Sequence, residues 1–132
     1  MKKISDKVLD DLQRRYIYLM SDGYCKRCGE LVGVEFIEVA HMFKRKRKTV
    51  RWDFKNVYPL CKNDARTGRV GCHQIVDDNP FELTSFMYNV MSQEEVEELQ
   101  KLANLTIKDY PIDRPAIRAS LKEKLKLLEA LG

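Results

Sequence analysis

The spacing of four cysteines constrains this chain more than any other feature. Cys25 and Cys28 enclose Lys26-Arg27, and Cys61 and Cys72 enclose ten residues. Zinc takes four tetrahedral ligands, and two thiolates held two residues apart on a turn reach two of those corners without strain. Gly29, directly after Cys28, relieves the backbone of such a turn. Cys61 and Cys72 supply the second pair if the polar segment Lys62 to Gly71 folds out as a loop. Their spacing is wider than a second CxxC, so two other arrangements stand beside the four-cysteine site: a Cys3His site in which His73 replaces Cys72, and cysteines that are only buried. Structural zinc binds with roughly 10–16 kcal/mol, more than the marginal stability of a small loop-rich domain, so chelation is expected to unfold the core. A site closed by four thiolates does no chemistry itself.

The preference for metal over disulfides rests on an intracellular, reducing compartment. No apolar run approaches the roughly 18 residues of a membrane span, and the amino terminus alternates charged and apolar residues where a secretory signal would build an apolar core. A cytoplasmic location is therefore expected. At 132 residues, with 44% hydrophobic and 33% charged, the chain is expected to form one domain, 1–132, with its own core. The net charge of +4 is unevenly placed: Tyr24 to Ile75 holds 12 Lys/Arg against 5 Asp/Glu, and the remainder 12 against 15. A basic centre in a slightly acidic chain points to a localised polyanion site.

Ser5 is a candidate N-cap, and Val8, Leu9, Leu12, Tyr16, Leu19 and Met20 follow at helical spacing, predicting an amphipathic helix over 6–20. Residues 34–41 are rich in β-branched and aromatic types and read as a strand, with a second strand over 56–60. Cys72 to Asp78 predicts a short helix stopped by Asn79-Pro80. Phe81, Leu83, Phe86, Met87, Val90 and Met91 predict another helix. Ser92 with Glu95 is a capping-box pattern ahead of Val96, Leu99, Leu102 and Ala103. A last helix starts near Asp113, with Pro115 in its first turn and Ile117, Leu121, Leu125 and Leu128 on one side. The expected fold is α+β and mainly helical, with a zinc-bound centre over 24–79, the 6–20 helix before it and a helical segment over 80–132 after it.

If cysteines satisfy the zinc, both histidines are free for other work. His41 stands at a predicted strand end, Asn56 follows the next loop, and His73 directly follows the last cysteine. This order within a cysteine frame resembles the HNH nucleases, whose ββα-metal site is commonly mounted on a zinc-bound treble clef. A narrower resemblance, around Ala40-His41-Met42 and Val50-Arg51-Trp52-Asp53-Phe54-Lys55-Asn56-Val57, is to the phage NinG/Rap recombination nucleases, and with it branched or flapped DNA is the expected partner. The resemblance implies that His41 is the general base, that His73 ligates a catalytic Mg²⁺ or Mn²⁺, and that Asn56 fixes the loop that aims His41. Many HNH proteins carry an acidic or histidine ligand directly before the base, where this chain has Ala40. Asp77, one helical turn beyond His73, is the first candidate for a second metal ligand, with a solvated helix end as its other reading; Glu38 is a further candidate.

Lys44, Arg45, Lys46, Arg47, Lys48 and Arg51 form a run with no acid among them. Such a run repels itself, so it is expected to be mobile until phosphates order it by counterion release. Arg51 is the cation expected nearest the scissile phosphate, since a guanidinium binds phosphate bidentately. Trp52 reads either as a core residue or as a stacking platform for an unpaired base. The leucines of the last helix read either as packing onto the same chain or as a homo-oligomer surface. A metal-dependent DNA endonuclease is thus the expected function. A zinc-stabilised nucleic-acid-binding module without catalysis and a zinc-dependent protein-interaction module are its rivals.

Overall fold

Ser5 opens the first element: its side-chain oxygen accepts from Val8 N at 3.2 Å and starts helix α1, Asp6–Ser21. The computed structural model describes residues 3–131, so residues 1, 2 and 132 of the expected 1–132 domain lie outside the described residues. Leu9, Gln13, Ile17 and Ser21 are the buried stripe of α1 at four-residue spacing, whereas Val8, Leu19 and Met20 are largely exposed. The helix stops at Asp22, in the left-handed region at φ 50°, followed by Gly23 at φ 83°. A Cβ on Gly23 would stand 3.2 Å from the Gly33 Cα, and the Gly23 carbonyl accepts from Val32 N and Gly33 N. This close approach folds the Cys25–Cys28 turn back over the chain that leads into the sheet.

Strands β1, Ile37–His41, and β2, Val57–Cys61, form a two-stranded antiparallel sheet with Ile37 opposite Cys61 and His41 opposite Val57. The predicted first strand began at 34, but Val34–Phe36 is a 3₁₀ turn. Gly33 at φ 91° breaks the extended run there, and its carbonyl accepts from Phe36 N at 3.0 Å. Pro59 is tolerated because each strand of a two-stranded sheet has a free edge, and its carbonyl accepts from Lys26 N at 2.9 Å.

Helix α2, Cys72–Asp78, follows the 62–71 loop, and Asn79 both ends it and caps α3, Pro80–Val90, by accepting from Phe81 N and Glu82 N. Asn79-Pro80 is thus a corner between two helices, with Pro80 at the position where a missing N–H costs nothing. Phe81, expected on the apolar face of α3, is 86% exposed. The Ser92–Glu95 capping box opens α4, Gln93–Ala103, and α5, Arg114–Leu131, begins as expected near Asp113. The main core joins Cys25, Cys61 and Cys72 to Ile37, Ala40, Leu60 and Val76, and to Phe86, Met87, Val96 and Leu99 from α3 and α4. On the other side α5 packs along α1 and buries Leu121 and Leu125. The architecture is α+β and about half helical, and among the described residues no helix is long and apolar enough to cross a membrane.

Candidate functional site

Two groups of side chains with ligand or acid–base chemistry are built around the β1–β2–α2 unit. In the first, Cys25, Cys28, Cys61 and Cys72 place their sulfurs within 4.8 Å of one another. The first pair sits on a turn closed by Gly29 N donating to Cys25 O at 2.9 Å, with Gly29 at φ 75°. The second pair is closed by Gly71, where a Cβ would fall 2.4 Å from Cys61 O and 2.3 Å from Lys62 C. Only glycine lets the end of β2 and the start of α2 approach that closely. None of the four is in a disulfide.

The sulfurs are surrounded by donors. Arg27 Nη1 lies 3.3 Å from Cys72 Sγ and Arg69 Nη2 lies 3.3 Å from Cys28 Sγ, while Cys61 N and Cys72 N donate to Cys25 Sγ and Cys61 Sγ. Burial pushes the Cys72 thiol up to about 12 and raises Cys61. Burial acts the same way on Cys25, but hydrogen bonds from the Cys28, Cys61 and Arg27 backbones outweigh it. Four converging soft donors, with cations and N–H groups ready to stabilise thiolates, fit a structural metal such as zinc. The arrangement uses all four cysteines, and His73 is not drawn into it as the Cys3His alternative required: its ring faces carboxylates instead.

The second group is a cleft of about 240 Å³ lined by Asp10, Gln13, Glu38, His41, Arg45 and His73, among others. His41 ends β1 and His73 stands in the first turn of α2, so the sheet and the helix bring both imidazoles to one cavity. His41 Nε2 is buried and has no hydrogen-bond partner. Burial, reinforced by Arg45, holds the His41 pKa down to about 4, against a smaller opposing field from Asp10. The ring is therefore neutral at physiological pH. His73 Nδ1 lies 3.1 Å from Glu38 Oε1, and its Nε2 lies 3.4 Å from Asp77 Oδ2. Asp77 also pairs with Lys44. The two carboxylates lie on opposite edges of the ring, and among the described residues the cysteines are the one set of three or more donors that converges for a metal.

Asn56 is completely buried and ties the segment between the strands. Its Oδ1 accepts from Phe43 N at 2.7 Å, and its Nδ2 donates to Phe43 O at 3.0 Å and Val50 O at 3.1 Å. The side chain thus clamps both ends of the basic segment.

That segment is anchored, contrary to the expected mobility. Arg51 Nη2 is 2.5 Å and Arg45 Nη2 2.7 Å from Asp10, Lys48 Nζ is 3.1 Å from Asp6, and Thr49 donates to Leu102 O. Burial works against the Asp10 charge, but hydrogen bonds from Arg51, Arg45 and Trp52 outweigh it and hold the carboxyl below the usual range. The acids that pair with these cations come from α1, and Asp77 of α2 pairs with Lys44, so the segment does not need an external polyanion for order. Arg51, expected at a phosphate, has an 11% exposed side chain committed to Asp10 and Asp6. Trp52 is a core residue: it is buried, donates to Asp10 Oδ1 at 2.9 Å, and has Arg51 and Arg114 over its ring. Lys46 and Arg47 are exposed and pair with no acid among the described residues.

Asp10 and Gln13 are the site residues that the sequence reading missed. Gln13 had a signal: it is the polar member of a stripe otherwise formed by Leu9 and Ile17. Asp10 had none, because its partners lie 35 to 42 residues away in the chain. No protein-family model, curated protein or solved structure matches the chain.

Proposed function

We propose that the chain is a metal-dependent DNA endonuclease of the HNH type, in which four thiolates hold a structural zinc and His41 is the general base of phosphodiester hydrolysis. The observation that carries this reading is the convergence of His41 and His73 on one cleft beside a sulfur cluster that uses neither ring. Branched or flapped DNA as substrate is the finer form of the proposal.

In the proposed reaction a water oxygen bonds to phosphorus while one of its protons passes to His41 Nε2. The ester P–O bond breaks with its electron pair on the leaving sugar oxygen, which takes a proton from solvent. His41 then returns its proton to solvent, and a phosphomonoester and a hydroxyl remain. Phosphate against Arg45 offsets part of the guanidinium field on His41 and so raises the basicity of the ring when substrate is bound. Mg²⁺ or Mn²⁺, when bound, would polarise the phosphate and stabilise the leaving oxygen. His73 would hold it with Glu38 or with Asp77, whichever edge of the ring it occupies. Lys46 and Arg47, free of carboxylates, are the cations of the run best placed to meet the DNA backbone.

The test is nicking of supercoiled and branched DNA by the zinc-loaded chain with Mg²⁺ or Mn²⁺. His41→Ala is expected to lose about 10²–10⁴-fold in rate, the usual contribution of a general base; nicking at the wild-type rate in that variant would rule His41 out. A second reading, a nucleic-acid-binding module without catalysis, is favoured by Ala40 in the core and by the failure of Glu38, His73 and Asp77 to converge as a three-donor set. Salt-sensitive DNA binding with no nicking would select it.

A further inference from the structure

Gln13 is 2% exposed, yet its Nε2 has no hydrogen-bond partner, and the residue lines the same cleft as His41, whose Nε2 is, among the described residues, the other buried side-chain nitrogen without a partner. An unpaired buried polar atom costs about 1–3 kcal/mol, so two of them at one small cavity require an occupant. The two atoms are complementary. The amide nitrogen can only donate, and a neutral imidazole with its proton on Nδ1 has its Nε2 lone pair free to accept. A ligand that accepts from one and donates to the other, and that fits a cleft of about 240 Å³ together with a phosphate, is a water molecule.

We propose that Gln13 Nε2 and His41 Nε2 hold the attacking water between them, so that Gln13 is a second residue of the hydrolytic site, supplied by α1. The assignment rests on the nuclease reading above. The amide takes one lone pair of the water, and His41 takes the proton that leaves as the other lone pair bonds to phosphorus. Gln13 neither gains nor loses a proton. Its contribution is orientation, and misplacing a reacting atom by about 1 Å costs on the order of 10²-fold.

Gln13→Met keeps the length and volume of the side chain and removes its polar end. It is expected to lower kcat for nicking by about 10- to 100-fold, with DNA affinity unchanged and Tm unchanged or higher, because a buried amide whose one partner is a water is exchanged for an apolar group of the same volume. A residue with a purely structural role would lower Tm together with activity. A high-resolution crystal structure of the zinc-loaded chain should show one water within hydrogen-bond reach of both nitrogens in the wild type and none there in the variant. Wild-type kcat in Gln13→Met, with His41→Ala inactive, overturns the role of Gln13 and leaves the nuclease reading intact. No nicking by the wild type under any divalent cation, or wild-type nicking by His41→Ala, overturns both. Absence of the water from the wild-type structure overturns the assignment regardless of activity.

Discussion

The sulfur cluster and the imidazole cleft are built on the same β1–β2–α2 unit, but they differ in how far their polar atoms are satisfied. At the cluster four donors converge, and two guanidinium groups and two backbone N–H groups surround the sulfurs. At the cleft the carboxylates flank His73 on opposite edges, and His41 and Gln13 each keep a buried nitrogen without a partner. A closed shell of ligands stabilises a fold, whereas open hydrogen-bonding capacity in a solvent-reachable cavity is what a reacting molecule needs. The proposed reading gives neighbouring segments opposite roles, and that division can be broken from either side.

Removing the metal expected at the cluster is the largest perturbation. Chelation, or Cys25→Ser, should abolish the cooperative thermal transition and the near-ultraviolet circular dichroism. Apparent binding energies of about 10–16 kcal/mol match or exceed the whole stability of a small domain. The sulfurs also link the turn, β2 and α2 within the main core. An unchanged melting curve after zinc has been stripped and assayed as absent would show that the cluster does not hold the fold.

Asn56→Ala tests the boundary between the two regions. It removes three hydrogen bonds from a completely buried side chain and leaves Phe43 N, Phe43 O and Val50 O to find new partners. A loss of about 2–4 kcal/mol is expected in denaturant unfolding, with zinc content unchanged. A loss under about 0.5 kcal/mol would mean that the segment between the strands does not depend on this clamp.

The legibility of the chain followed the range of the interactions. Capping residues act within one turn, so α4 after Ser92 and the Asp113 start of α5 were readable, and α2 was found with its end at Asn79. The cysteine pairing was readable because ligand chemistry limits the partners. The 3₁₀ turn at Val34–Phe36 was not, since the strand-favouring Val34 and Phe36 obey the backbone turned by Gly33. Nor was the anchoring of the basic run, whose partners Asp6 and Asp10 lie on a helix that looked like plain support. On α1 the exposed Val8, Leu19 and Met20 had the right hydrophobicity but not the buried face, which runs through Gln13.

His41 gives the cleft a pH signature that the cluster cannot mimic. Its folded pKa of about 4, depressed first by burial and then by Arg45 and Arg51 against the opposing Asp10, lies below the ordinary 6.5. Between those values the unfolded chain binds more protons than the folded one. This contribution to stability is therefore complete above about pH 6.5 and is lost as pH falls toward 4, with a limiting slope of about 1.4 kcal/mol per pH unit. The unfolding free energy of wild type minus that of His41→Gln, both zinc-loaded, should fall as pH falls through that window. Since both carry the same cysteines, any acid loss of zinc cancels in the difference. Parallel curves would place His41 in a more solvated setting than the cleft provides.

The smallest effect separates the cations that hold the fold from those free to meet a polyanion. Lys46 is exposed and pairs with no acid among the described residues, whereas Arg51 is packed against Asp10 and Asp6. Lys46→Ala should leave Tm within about 1 °C, since surface changes of this kind stay within about 0.5 kcal/mol. It should reduce the salt dependence of DNA binding by about one phosphate contact in the slope of log K against log salt. Arg51→Ala should do the reverse, lowering Tm because Asp10 loses its closest partner, with the salt slope unchanged. If both variants change the slope equally, the α1 carboxylates yield to DNA, and the anchored segment is a switchable binding arm instead of a fixed wall of the cleft.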